Sequence, residues 1–189
     1  MEWFAQGKND GLCGFYAALN AISFLLNKAG QPLPFAKKQK FFDKAVDFLI
    51  EDEPLHGPSS LSILKGNSEQ GGICQSRIAK LCQRIATDQG LSIEIEEAPR
   101  QCGRLNFQGF FDKVVQQGDN FAIIAATRGG GHWVVVAAGP RKDRFIIIDN
   151  AAPAVSNIGQ NAAKYVTGES ITLRLKLAQA DYLAREVSR

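Results

Sequence analysis

The spacing of apolar residues predicts that the first half of the chain is mostly helical. Apolar residues three or four positions apart predict a helix from Cys13 to Lys28 with one broad buried face, and Gly30 ends this helix. The apolar positions of this helix are Phe15, Leu19, Ile22, Leu25 and Leu26. The same spacing predicts a second helix around 41–49, which Pro54 ends, and further helices over 73–87 and 107–117.

The second half has the patterns of strands. Residues 91–96 alternate strictly between apolar and polar, and residues 120–127 are almost all apolar, as in the centre of a sheet. Two short β-rich runs, the first opened by His132 and the second running from Arg144 to Asn150, are joined by residues 139–143 and predict an antiparallel hairpin. A last strand is predicted over 171–175 and a terminal helix over 178–187, whereas 151–168 shows no clear period and is predicted to be loop.

These elements together predict an α+β fold. Helices come first, and a mostly antiparallel sheet of about four or five strands follows, with the helix that begins at Cys13 packed on that sheet. The length of 189 residues suits one domain spanning 1–189.

Composition and charge are those of an ordinary globular protein. The hydrophobic fraction is 45%, the charged fraction is 22% and the net charge of +3 is too small to indicate a nucleic-acid partner. The one basic cluster, formed by Lys37, Lys38 and Lys40, is better explained as a solvated helix start than as a phosphate-binding patch. We expect no nucleic-acid partner.

The cysteines and histidines argue against a metal site. Four cysteines show no Cys-x-x-Cys spacing and the chain has two histidines, so we expect neither a structural zinc nor another cofactor. If one cysteine serves as a nucleophile, an odd number remains for pairing, which favours a reducing compartment. No apolar run is long enough to span a membrane, and the start Met1-Glu2-Trp3-Phe4 is not a secretory signal. We therefore expect a cytoplasmic protein, or one exported without a cleavable signal peptide.

Cys13 is the candidate nucleophile. It follows the polar turn Asn9-Asp10-Gly11 and begins an apolar helix, where backbone N–H groups and the helix dipole favour the thiolate, the reactive form of a thiol. The alternative is a buried structural cysteine, because free cysteines are among the most buried residues.

The predicted hairpin brings a base and an orienting group together. His132 opens its first strand and Asp149-Asn150 close its second, so the two ends lie side by side. In a thiol-based catalytic triad, an imidazole acts as the base and a neighbouring carboxylate or carboxamide orients it, so these residues can supply two of the three members. Neighbouring strand residues point to opposite faces, so either Asp149 or Asn150 can serve as the orienter, but not both.

The order Cys, His, Asp/Asn, with the cysteine at a helix start and the histidine heading a strand, resembles the papain-like cysteine hydrolases. The sequence is most similar to the C39-like peptidases, in which a Gln precedes an Asp-Cys-Gly helix start and a Gly-His-aromatic-Val-Val strand follows. The resemblance implies Cys13 as nucleophile, His132 as general base, Asp149 as orienter and Gln6 as oxyanion-hole donor. The chain departs from the pattern at Gly11 and Leu12, which separate Asp10 from Cys13, and at Asn150, where the family usually has Pro.

The resemblance implies a cysteine peptidase acting on a protein or peptide through an acyl-thioester. The same chemistry serves glutamine deamidation and transglutamination, so an effector that modifies a protein substrate is the second hypothesis. A catalytically degenerate domain that only binds peptides is the third.

Overall fold

The computed structural model of the protein consists of helices packed on an antiparallel sheet. The helices are α1 (Cys13–Lys28), α2 (Phe35–Glu51), α3 (Gln75–Asp88) and α4 (Arg104–Gln116). The strands are β1 (Ile93–Glu97), β2 (Phe121–Thr127), β3 (Trp133–Ala138), β4 (Phe145–Ile148), β5 (Val155–Ile158) and β6 (Val166–Leu175). The structure describes residues 3–5, 12–51, 73–98, 104–116, 118, 120–127, 132–139, 144–151, 155–158 and 166–176.

Two helices end in the same local structure, which glycine makes possible. After α1, Gly30 has a φ of +75°; its N–H donates to Asn27 O, and the N–H of Gln31 donates to Leu26 O. After α3, Gly90 has a φ of +68° and the same pair of bonds closes the helix. A left-handed residue followed by this 6→1 bond is a Schellman motif, and glycine adopts it without steric cost.

The sheet is antiparallel in every described pairing, in the order β1-β6-β2-β3-β4-β5. Strands β2 and β3 lie near its middle, and their side chains are buried on both faces apart from partly exposed Thr127. Their almost wholly apolar sequences follow from this position, since neither face meets water.

Helices cover both faces of the sheet. Alternate residues of β2 and β3, including Ile124 and Val135, pack with α1, α2 and α3. The intervening residues, including Ile123 and Val134, pack with Phe111 of α4 on the other face. Helix α1 is the central helix of the first layer, because it contacts β2, β3 and α3.

The predicted α+β fold, with the Cys13 helix on a mostly antiparallel sheet, is confirmed. The prediction of about four or five strands is wrong, because the described residues form six. The prediction of loop over 151–168 is also wrong, because β5 and the start of β6 lie there. Among the described strands, β5 pairs with β4 alone, at the edge of the sheet, and its sequence Val-Ser-Asn-Ile lacks the alternation of a half-buried strand.

Two predictions concern residues outside the described part of the chain, namely the terminal helix over 178–187 and the role of Gln6. That the whole chain forms one domain stays a prediction.

A matched pair of isoleucines tests the buried face of α1. Ile22→Ala should lower the free energy of unfolding by about 2–5 kcal/mol, because Ile22 is fully buried and its loss leaves a cavity. Ile50→Ala in α2 should change that free energy by no more than about 0.5 kcal/mol, because Ile50 is 43% exposed. Urea unfolding followed by circular dichroism measures both. Equal losses in the two variants would contradict the packing.

Candidate active site

Cys13 is the first residue of α1. The first helical hydrogen bond runs from the N–H of Tyr16 to the carbonyl of Leu12 at 3.0 Å, so the N–H groups of residues 13–15 precede the hydrogen-bonded turns. Leu12 provides no side-chain cap, and the first turn contains no acidic residue. The partial positive charge of the helix start therefore acts on the Cys13 side chain without a neighbouring carboxylate in that turn.

The backbone of His132 is fixed by the sheet. Its carbonyl accepts a 2.8 Å hydrogen bond from the N–H of Thr127, which continues the ladder between β2 and β3 by one residue. Strands β3 and β4 pair with Val135 opposite Ile148, so the start of β3 lies beside the end of β4. This register brings His132 next to Asp149, although 17 residues separate them in sequence.

Asp149 binds the imidazole directly. Its Oδ1 lies 2.8 Å from Nε2 of His132, and the same oxygen accepts a 2.9 Å bond from the N–H of Ala151. The second bond is a local turn in which an Asp side chain binds the backbone two residues later, and it fixes the carboxylate. Because Nε2–H donates to Asp149, the other ring nitrogen, Nδ1, is the one that remains for Cys13.

Cys13 and His132 interact through their side chains. The hydrogen bond with Cys13 is the largest cause that raises the pKa of His132 from 6.5 to about 9. Burial acts in the opposite direction, while the hydrogen bond and charge of Asp149 and the charge of Cys13 also raise this pKa. The imidazole therefore keeps its proton at neutral pH, between a sulfur and a carboxylate.

A glycine lets α1 pack closely against α3. A Cβ at Gly14 would lie 2.7 Å from Cδ1 of Ile78 in α3 and 3.5 Å from Cδ1 of Trp133 in β3. The first distance is shorter than a real Cβ contact, so the Ile78 side chain would have to move. The second distance is that of an ordinary van der Waals contact, so the close approach at Gly14 is to α3 rather than to the strand that follows His132.

The side chains of Asn150 and Asp149 bind different parts of the site. Its Nδ2 donates to the backbone carbonyl of Cys13 at 3.0 Å, and its side chain is fully buried. Of the two orienters that the sequence left open, Asp149 is the one bonded to His132 Nε2. The sequence did not predict the bond from Asn150 to α1, although the alternation of side chains along a strand predicts that residues 149 and 150 face opposite ways.

The three residues of the site differ in exposure. Cys13 is 5% exposed, whereas the side chains of His132 and Asp149 are 27% and 37% exposed. The imidazole and the carboxylate are therefore more accessible to solvent than the sulfur.

Gln6 lies outside the described residues, but the segment before it is anchored. The side chain of buried Asn20 in α1 makes two hydrogen bonds to the backbone of Phe4. Its Oδ1 accepts a 2.8 Å bond from the Phe4 N–H, and its Nδ2 donates a 3.0 Å bond to the Phe4 carbonyl. The ring of Phe4 stacks with Phe41 and Phe42 of α2. One Asn within the apolar face of a predicted helix is the local sign of this anchor in the sequence.

Two other cysteines differ from Cys13 in their surroundings. Cys74 is exposed at the start of α3, with its sulfur 3.4 Å from Oγ of Ser76. Cys82 is fully buried, which raises the pKa of its thiol far above the ordinary range and keeps it neutral. Cys82 therefore lacks the thiolate that reactivity needs.

No protein-family model matches the chain, and no curated protein matches it in sequence. Solved structures similar to it include a double glycine motif protease from an AMS/PCAT transporter in complex with the leader peptide, at 12% identity and a TM-score of 0.48 over 93% of both chains. The Pseudomonas avirulence protein AvrPphB is similar at 9% identity and a TM-score of 0.45, over 90% of this chain and 93% of the other.

A third similar structure is the peptidase domain of Streptococcus ComA, a bifunctional ABC transporter involved in a quorum-sensing pathway. It is 16% identical, with a TM-score of 0.43, over 93% of this chain and 98% of the other. At these identities and TM-scores, the family predicted from the sequence stays a prediction.

Within the described residues, no three His, Cys, Asp or Glu side chains are grouped so that they could hold a metal ion. None of the described helices has the combined length and hydrophobicity that a membrane crossing requires.

The titration of His132 tests the geometry of the site without a substrate. In the native protein its pKa should be about 9, and Cys13→Ala or Asp149→Asn should each lower it, because each removes a group that stabilises the imidazolium. Nuclear magnetic resonance of the imidazole C–H signals measures the pKa directly. The chain has two histidines, so His56→Gln assigns the signals by removing one of them. A His132 pKa near 6.5 that neither replacement changes would contradict the described contacts.

Proposed function

We propose that the protein is a thiol-dependent hydrolase of amide bonds, and specifically a cysteine peptidase. The observation that carries the proposal is the continuous set of contacts from Asp149 through His132 to Cys13, with the thiol at the start of α1. A thiol, a base that binds it and a third group that orients the base form the recurring arrangement of nucleophilic catalysis.

The first half of the reaction forms an acyl-enzyme. His132 is already protonated at neutral pH, with its Nδ1–H directed towards Cys13. The sulfur of Cys13 attacks the substrate carbonyl carbon to form a C–S bond. The resulting oxyanion collapses, the C–N bond breaks and the leaving amine takes the proton from His132. With a pKa of about 9, His132 still carries that proton at neutral pH.

The second half releases the acyl group. His132 takes a proton from a water molecule that attacks the thioester carbonyl, and the C–S bond breaks to give a carboxylic acid and the free thiol. Asp149 accepts a hydrogen bond from Nε2 throughout, so Nδ1 keeps facing the sulfur and the imidazolium is stabilised in both halves.

The oxyanion needs donors near the sulfur. The backbone N–H of Cys13 precedes the hydrogen-bonded turns of α1 and is one candidate; the side-chain amide of Gln6, by resemblance, is the other. Each such donor contributes about 3 kcal/mol to transition-state stabilisation.

Replacing either member of the reacting pair should abolish turnover. We expect Cys13→Ala and His132→Ala each to lower the rate of peptide cleavage by a factor on the order of 1,000 or more, with the fold retained. Incubation with a peptide library of diverse sequence, followed by mass spectrometry of new termini, measures cleavage. Circular dichroism verifies the fold.

Cys74→Ala is the matched control, because Cys74 is an exposed cysteine at the N-cap of α3 that has no assigned role in the reaction, and this variant should keep full activity. Turnover that survives in Cys13→Ala would refute the proposal. A thiol-dependent gain of about 1 Da on glutamine side chains, without cleavage, would refute the peptidase and support a deamidase.

A further inference from the structure

The bond between Asn150 and α1 connects the two parts of the site across the fold. Asn150 follows the end of β4 and Cys13 begins α1, 137 residues earlier in the chain. The donor is Nδ2 of Asn150, the acceptor is the backbone carbonyl of Cys13, and the distance is 3.0 Å. Both residues are buried, so water does not compete effectively for this bond.

Neighbouring residues after β4 therefore bind the two reacting groups separately. Asp149 binds the ring of His132, while Asn150 binds the backbone of the residue that carries the thiol. Any displacement of α1 relative to the hairpin would stretch the Asn150 bond and the Cys13–His132 contact together. We propose that Asn150 is a positioning residue, which sets the location of the Cys13 sulfur relative to His132 by fixing the first carbonyl of α1; this role rests on the proposed function.

The carbonyl oxygen of Cys13 can accept the bond from Asn150 and still accept its helical hydrogen bond. A backbone carbonyl has two lone pairs, so the Cys13 oxygen can accept from Asn150 as well as from the helix. The carbonyl carbon is bonded directly to the Cα that carries the side chain. Fixing the carbonyl therefore restricts both translation of α1 along its axis and its rotation about that axis.

The packing at Gly14 does not replace this constraint. The nearest atoms to a Cβ at Gly14 belong to the ends of the Ile78 and Trp133 side chains, and apolar contacts of this kind lack direction. A hydrogen bond weakens steeply when its length or angle changes. The Asn150 bond is therefore the contact that can specify a position to within a fraction of an ångström, and a misplacement of about 1 Å can lower a reaction rate on the order of 100-fold.

The chain offers a matched control on the same helix. Asn20 is also a fully buried Asn whose side chain bonds to backbone groups, but its partner is Phe4 rather than a residue of the site. Leucine has nearly the shape of asparagine and no N–H donor, so Asn150→Leu and Asn20→Leu remove equivalent buried polar groups.

The pKa of His132, followed by nuclear magnetic resonance, distinguishes positioning from a purely structural role. Asn150→Leu should lower this pKa from about 9 by on the order of one pKa unit or more, because the thiol moves away from the imidazole. Asn20→Leu should leave the pKa unchanged, even if it destabilises the protein as much. Asn150→Ala, which adds no bulk, should behave like Asn150→Leu.

An unchanged pKa in both folded Asn150 variants would overturn the inference, as would an equal decrease in Asn20→Leu. If both Asn150 variants fail to fold while Asn20→Leu folds, Asn150 is a folding determinant and the positioning role is also overturned. Cys13→Ala separates this result from the proposed function. If Cys13→Ala leaves the His132 pKa unchanged, the Cys13–His132 pair itself fails; if it lowers that pKa and Asn150→Leu does not, only the role of Asn150 fails.

Discussion

The contact between the thiol of Cys13 and the ring of His132 is the interaction on which the account of this protein depends. The two residues come from different layers, one from the start of a helix and the other from the beginning of a central strand. The hydrogen bond with Cys13 is the largest cause that raises the pKa of the imidazole.

Three features of ordinary protein structure produce this contact. The antiparallel register of β3 and β4 sets Asp149 beside His132, and α1 packs directly against β3. The amide of Asn150 then joins the helix start to the same hairpin. Each of these features has a low free-energy cost, because each uses backbone geometry, packing or a buried hydrogen bond that the fold already supports. The site is therefore a consequence of how the helical layer and the sheet meet.

The sequence was sufficient to predict the parts whose signal is local. Helical spacing predicted α1, its end at Gly30 and the burial of Leu19 and Ile22, and the turn between two β-rich runs predicted the hairpin that pairs His132 with Asp149. The edge strand β5 was missed because its two central residues, Ser156 and Asn157, are both polar, so apolar and polar residues do not alternate. Its pairing depends on β4. The bond from Asn150 to Cys13 was also missed, because it joins residues 137 positions apart through tertiary packing, and no local pattern predicts such a bond.

The most direct test of the central contact is the alkylation rate of Cys13 as a function of pH. Iodoacetamide reacts with thiolates, and mass spectrometry of digested protein resolves each cysteine, so exposed Cys74 serves as a reference within the same molecule. The account predicts rapid labelling of Cys13 at near-neutral pH in the native protein, and a loss of this reactivity in His132→Ala and on unfolding. Identical pH profiles for Cys13 in the native protein and in His132→Ala would contradict it.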